Sequence, residues 1–254
     1  MNDTNRKLEI YADDVSVPGI TRAQLLGRDT IGLYPMCFTL RLWNLSDDGY
    51  YRLMAAKHIA VTHKDSVLAA GSLSDVYRFA VPEGTIIEAV FSATLSLWEA
   101  PVSLSVAANT KVSDTVREIL AASGTGVSLL SFPGEDPVVK RGQAFFGKTS
   151  ECVMTALSAA GARCCLTPSG LCVIPNAGLP VSMHLSDADL IDAPVTTPGG
   201  LVVLRTVVTG WPLGKMISVS WRGKTVEGIA VERCLNADNG EGCWESELVL
   251  EVRT

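Results

Sequence analysis

The stretch Gly142-Gln-Ala-Phe-Phe-Gly147-Lys148-Thr149 matches the pattern G-x-x-x-x-G-K-[ST] to the letter. In a nucleotide-binding loop of that kind, backbone N–H groups cradle phosphates, the lysine reaches the β- and γ-phosphates, and the hydroxyl binds Mg²⁺. Gly142, Gly147, Lys148 and Thr149 would then be cofactor-binding residues. The surroundings argue for something plainer. The strand that should lead into the loop is reduced to Val138-Val139, between Pro137 and Lys140, and no apolar strand ending in Asp follows to hold a metal. The chain turns into a hairpin where a nucleotide fold needs parallel βαβ units. The adjacent Phe145 and Phe146 suit packing better than phosphate contact. The pattern therefore predicts a helix N-terminus behind a glycine turn, with nucleotide binding as the alternative.

Other reactive side chains are scattered. His58 and His63 lie five apart, so on one strand they face opposite sides, and His184 is remote. No HExxH or G-x-S-x-G motif occurs, and no pair of carboxylates marks a glycosidase. Cys152, Cys164, Cys165 and Cys172 lack the C-x₂-C spacing of a zinc site. Cys234 and Cys243 flank a turn and could approach each other across a hairpin, but a chain without a visible export signal favours free thiols. Asn236-Ala-Asp-Asn-Gly-Glu241 is similar to a calcium loop, but its glycine comes one place early and no helix pair encloses it, so it predicts a hairpin turn. Trp43, Trp98, Trp211, Trp221 and Trp244 read as packing or subunit contacts rather than a sugar platform. No catalytic residue, metal site or cofactor is expected, and the chain is expected not to be an enzyme.

These residues sit on a chain of 254 residues, 47% hydrophobic and 19% charged, with 22 Gly and 12 Pro among short apolar runs. That composition indicates strands and turns around one large core or several small ones. Met36, Phe38, Leu40 and Leu42 alternate with polar or unlike neighbours; Phe91, Ala93, Leu95 and Leu97 do the same, and Val102, Leu104 and Val106 continue the pattern after Pro101. Ile59 and Val61 form a shorter strand. Ser46-Asp-Asp-Gly49, Lys64-Asp-Ser66 and Pro82-Glu-Gly84 read as turns between them. The middle changes period. Val112, Val116, Ile119 and Leu120 stand at helical spacing, with Ser113 as cap and Gly124 as stop; a second helix begins at Thr149 or Ser150 and ends at Gly161. A hairpin of 162–167 with 171–175 follows. Strands return at Leu201–Val208, Ile217–Trp221 and Ser246–Val252, with Pro194–Gly200 as a flexible connection. The expectation is a mainly β protein with a small α/β module: a first β-barrel over 1–107, the module over 108–180, and a second β-barrel over 181–254.

Net charge is −6 and the pI is near 5.1. The outer segments are acidic (9 Lys/Arg against 12 Asp/Glu, and 6 against 10) and the middle nearly neutral (6 against 5). That balance argues against a nucleic-acid-coating protein. No apolar run reaches the roughly 20 residues of a membrane helix, so a soluble protein made in the cytosol is expected.

The order of these segments resembles the gp27-like baseplate hub proteins of contractile phage tails and injection systems. Asp189-Leu-Ile-Asp-Ala-Pro194, the glycines at 199–200, an apolar strand and Trp211-Pro-Leu-Gly214-Lys-Met-Ile-Ser-Val219 are similar to a pattern of that family. Gly228-Ile-Ala-Val-Glu-Arg-Cys234 and Trp244-Glu-Ser246 resemble its closing hairpin, with Cys234-Leu-Asn-Ala-Asp238 and Ser246 replacing its usual turn and Thr. The stretch Gly147–Gly161 resembles its second module helix. The resemblance implies two small barrels per chain, and a homotrimer that forms a pseudo-six-fold ring. It implies as partners a trimeric spike protein, a tail tube or tube-initiator protein and baseplate wedge proteins, with DNA only as passing cargo. The place implied is the tail baseplate of a virion assembled in a bacterial cytoplasm. Another β-barrel tail module, such as a tube initiator, is the alternative within that reading.

Overall fold

Alternating apolar runs closed by polar turns dictate antiparallel strands, because residues two apart share a face. The computed structural model describes residues 6–34, 36–175, 179–208, 210–240 and 242–252, and most of them are strand. In chain order the elements are β1 Glu9–Ala12, β2 Val15–Ser16, β3 Arg22–Thr30, β4 Phe38–Trp43, α1 Asp47–Ala55, β5 His58–His63, β6 Ser66–Val81 and β7 Gly84–Ser92. Next come α2 Leu95–Glu99, β8 Pro101–Val106, β9 Thr110–Lys111, α3 Val112–Ser123, β10 Leu129–Ser131, β11 Val138–Val139, β12 Gln143–Lys148, α4 Thr149–Ser158, β13 Arg163–Thr167 and β14 Gly170–Ile174. The chain closes with β15 Val181–Leu185, β16 Val195–Thr196, β17 Leu201–Val207, β18 Met216–Trp221, β19 Lys224–Asp238 and β20 Trp244–Val252. These pack as two compact units. One gathers Met1–Asp29, Met36–Ala93 and Val181–Thr254; the other holds Thr30–Pro35 and Thr94–Pro180.

In the first unit the strands form one sheet, in the order β16-β17-β20-β19-β3-β4-β7-β6-β5-β1-β2, with β18 and β15 branching from β19. The sheet serves two apolar cores. Leu25, Phe38, Leu40, Leu53, Ile59, Leu68, Ile87 and Phe91 belong to one. Leu204, Ile217, Val219, Ala230, Leu248 and Leu250 belong to the other. The long strand β19 explains the continuity. Its first residues pair with β18, while Gly228–Ala237 pair with β20 and the other edge meets β3. So the mainly β architecture is as expected, and the described ladders make one continuous sheet that serves two cores.

The structure corrects several local expectations. Ser46–Gly49 is not a turn but the start of α1: Ser46 Oγ accepts the Gly49 N–H at 3.2 Å, and Asp47 and Asp48 occupy the first helical turn, where carboxylates are favoured. The alternation through Leu95 and Leu97 does not continue β7; the strand stops at Ser92 and α2 follows. Pro194–Gly200 is not a free connection, because Val195 and Thr196 pair with Val203 and Val202 and the Thr197 N–H is bonded to Leu201 O.

The second unit mixes helices with short strands, and it takes in residues 30–35 and 94–107 besides the 108–180 expected of an α/β module. Its glycines do the work expected of them: Gly124 (φ 65°) and Gly161 (φ 63°) take the left-handed conformation at the ends of α3 and α4. Ser113 is not the cap of α3, as its type and place suggest, because the N-cap is Lys111; Ser113 instead donates from its N–H and Oγ to Asp136, at 3.0 and 2.7 Å. β13 and β14 form the expected hairpin, closed at Thr167 and Gly170, and β10 joins it in parallel. β8 and β12 make a separate two-stranded ribbon, and β9 and β11 another. Among the described residues no helix is long and apolar enough to cross a membrane.

Candidate assembly surface

The octet from Gly142 to Thr149 does not form a phosphate cradle. Gln143–Lys148 is strand β12, laddered antiparallel along β8 from Gln143↔Val106 to Lys148↔Pro101. A cradle needs a loop with free, converging N–H groups; here the residues between the glycines are extended. Lys148 Nζ lies 4.1 Å from the centroid of the Trp98 ring, and the wholly buried Thr149 hydroxyl donates to Ala100 O at 2.9 Å. Cation and hydroxyl are both committed to their own unit.

The remaining reactive groups are dispersed as well. His63 packs edge-on against Trp244 at 4.8 Å, with Nδ1 2.9 Å from Lys7 O, while His184 is exposed on β15. All seven cysteines are free thiols, and Cys234 faces Glu247 in the ladder rather than Cys243. Burial pushes the Cys164 thiol up to about 12. Among the described residues no group of three His, Cys, Asp or Glu side chains is placed to hold a metal. The turn after β19 is held by protein: Asp238 accepts from Arg22 Nη2 at 2.8 Å and from the Gly240 N–H at 2.8 Å. Burial raises the Asp238 carboxyl, but Arg22 and the Gly240 N–H outweigh it and hold the group below its ordinary value. Glu241, the last residue of that calcium-like string, lies outside the described residues.

The tryptophans are packing residues with polar neighbours. Arg22 sits over Trp43 at 4.5 Å, Arg222 over Trp221 at 5.3 Å, and Arg233 over Trp211 at 4.8 Å. Arg233 is the most unusual of these side chains. It is completely buried, binds Asp29 through Nε (3.1 Å) and Nη2 (2.9 Å), and donates to Leu68 O at 2.7 Å. That one guanidinium ties β19 to β3 and β6 across 204 and 165 residues of sequence. Burial pushes the Asp29 carboxyl up while the guanidinium pulls it down. Desolvation offsets much of the attraction in a buried pair of this kind, but removing one partner leaves an uncompensated charge. No sequence signal marks it, since neither Asp29 nor Arg233 lies in a motif.

A surface suited to assembly lies on β6. Its first half pairs with β5 up to His58↔Ser72, and its second half pairs with β7 from Ser72↔Ser92 to Val81↔Gly84. Beyond Ser74 the β5 side carries no strand among the described residues, so Ser74–Val81 is an open edge. Tyr77 and Phe79, 46% and 47% exposed, stand two apart on one face with their rings 6.2 Å apart. Arg78 points to α1, over Tyr50 at 5.2 Å and 3.4 Å from Asp47. Natural proteins blunt open edges with charge, proline or a cover. This edge carries Asp75 and Arg78, but it also presents two exposed aromatics, which suits pairing with another strand.

Gly71 permits the partner change within β6. A Cβ there would lie 2.3 Å from the Ser92 carbonyl, so only glycine lets the strands cross so closely.

No family model matches the chain, and no curated protein matches its sequence. Solved structures do match. A tail protein from Neisseria meningitidis superposes with a TM-score of 0.70 at 10% identity, covering 96% of this chain and 95% of its own. The 43 kDa tail protein of prophage MuSo2 from Shewanella oneidensis gives 0.69 at 10%, with 97% and 96% covered. An E. coli component of the type VI secretion system, described as structurally similar to the bacteriophage T4 tail proteins gp27 and gp5, gives 0.67 at 9%, with 96% and 77% covered.

Proposed function

We propose that this chain, which has the fold of gp27-like tail proteins, is a structural and non-enzymatic baseplate hub subunit of a phage tail or contractile injection machine. In this reading three copies form a pseudo-six-fold ring that connects a central spike to the tail tube. The first unit supplies the wall, and the second the module joined to it. The observation that carries the proposal is the near end-to-end likeness to two tail proteins, with about 95% of both chains aligned.

Two features of the chain support it. The open aromatic edge Ser74–Val81 offers backbone groups to a neighbouring copy, as ring closure by strand contact requires. The charge is also partitioned. Thr30–Pro35 and Thr94–Pro180 carry six basic and six acidic residues, so the whole −6 resides in the first unit. An acidic wall would repel rather than retain passing DNA.

Light scattering of the purified protein tests this. The proposal expects a particle of three 27.0 kDa chains, and a Tyr77→Asp/Phe79→Asp variant that folds but stays at one. A wild type that remains at 27.0 kDa and never co-assembles with tail proteins would remove the reading.

A further inference from the structure

One feature of the second unit is not used by the ring. In the ribbon of β8 and β12 one face is buried, with Val102, Val106 and Phe145 turned inward. The other face carries Ser103, Ser105 and Ala144, all small and exposed, and among them Phe146, directly opposite Ser103. Phe146 is 88% exposed, the most exposed of the large hydrophobic residues described. Its small neighbours leave the ring standing clear of a flat floor.

The second edge of β12 is also open. Among the described residues its ladder runs to β8 alone, and α4 begins only at Thr149. Charge adds a third property. Lys140 and Arg141 stand just before β12, whereas at its far end Lys148 lies over Trp98 and the Glu151 carboxylate approaches Gly147. Lys140 and Arg141 are exposed at the entry to the ribbon.

An open strand edge, a lone exposed aromatic and two exposed cations at the entry together describe what an incoming strand needs. The edge supplies main-chain hydrogen bonds, Phe146 an apolar anchor, and the cations the selection of an acidic sequence. A nucleic acid would use the charge and the ring but not the row of peptide groups. We propose that the free edge of β12, centred on Phe146, binds an acidic β-strand-forming segment of another protein. This surface is separate from the β6 edge and stands whether or not the ring reading holds.

The test uses fluorescence anisotropy with the full chain and four probes. These are a synthetic peptide alternating Glu with Val, its Lys/Val counterpart, the Glu/Val peptide with alternate backbone nitrogens methylated, and single-stranded oligo-dT. The Glu/Val peptide is expected to bind and to weaken with added salt. The Lys/Val and N-methylated peptides should bind at least about tenfold more weakly, and Phe146→Ala should cost a similar factor. Lys140→Glu/Arg141→Glu should abolish binding. Both variants alter exposed side chains, and far-UV circular dichroism checks their folding. The proposal is overturned if the Glu/Val peptide does not bind, if the Lys/Val or N-methylated peptide binds equally, or if Phe146→Ala changes nothing. It is equally overturned if oligo-dT binds as tightly as the Glu/Val peptide, which would make the patch a nucleic-acid site.

Discussion

Removing the carboxylate of Asp29 should be among the most damaging single changes available to this protein. Arg233 has no solvent exposure and Asp29 is 6% exposed, so deletion of the carboxylate leaves a cation in the core with only Leu68 O as acceptor. Two hydrogen bonds to a charged group are lost, each worth about 1.5–3 kcal/mol. Breaking a buried pair from one side typically costs about 3–5 kcal/mol. Asp29→Ala should therefore lower the unfolding free energy by about 3–5 kcal/mol, read from urea midpoints at unchanged slope. Replacing both partners, as in Asp29→Leu/Arg233→Met, should return most of that loss, because no charge then needs a partner and the Met stem still packs between Phe38 and Trp211. If Asp29→Ala costs less than about 1 kcal/mol, or if the double change is as damaging as the single one, the mutual dependence of these two buried charges is refuted.

Further outcomes follow from the same geometry. Gly71→Ala should destabilise by about 1–3 kcal/mol, because its Cβ meets the Ser92 backbone rather than a movable side chain; thermal melting reads the loss. Asp13 is held below its ordinary value by the backbone N–H groups of His58 and Lys57. Its contribution should thus be present above the unfolded carboxylate pKa and disappear as pH falls through the lower folded value, and the acid limb of a stability–pH curve should flatten in Asp13→Asn. Brief alkylation of the native protein at neutral pH should label Cys37 and Cys243, which are exposed, and spare the buried Cys164, whose thiol stays protonated; peptide mass spectrometry reads the sites. Calorimetric titration with ATP–Mg²⁺ should give no heat with wild type or Lys148→Ala, and nucleotide-dependent heat in the wild type alone would overturn the packing role given to Lys148.

Where the sequence pattern is local and long enough, it reads through to structure. β4, β17 and β20 bury alternate residues through their centres as their alternation requires, α3 stops at Gly124, and α4 begins at Thr149 but ends at Ser158, shortly before the glycine at 161. The failures share a cause, which is brevity. α1 buries only Gly49 and Leu53, too few for a helical stripe to show against Tyr50, Tyr51 and Met54, although Ser46-Asp47-Asp48 is a legible cap. Leu95 and Leu97 fit a strand and a one-turn helix equally well over so short a span.

Pairing between distant segments is the other thing periodicity does not contain. The partner change in β6 at Gly71–Ser72 and the sharing of β19 both depend on which strand lies alongside, and the Asp29–Arg233 contact depends on both. The open edge at Tyr77 and Phe79 is hidden for the same reason, since an edge is defined by the neighbour it lacks. The pattern at Gly142–Thr149 illustrates the converse: its residues meet a motif, yet β8 lies alongside them and makes them a strand.

Electron microscopy of the isolated protein tests self-assembly through the sheet edge most directly. Class averages should show a ring with threefold symmetry and six similar lobes around an open centre, and Tyr77→Asp/Phe79→Asp should disperse it into single particles. Rings that persist unchanged in that variant, or a wild type without any ring, would contradict the account.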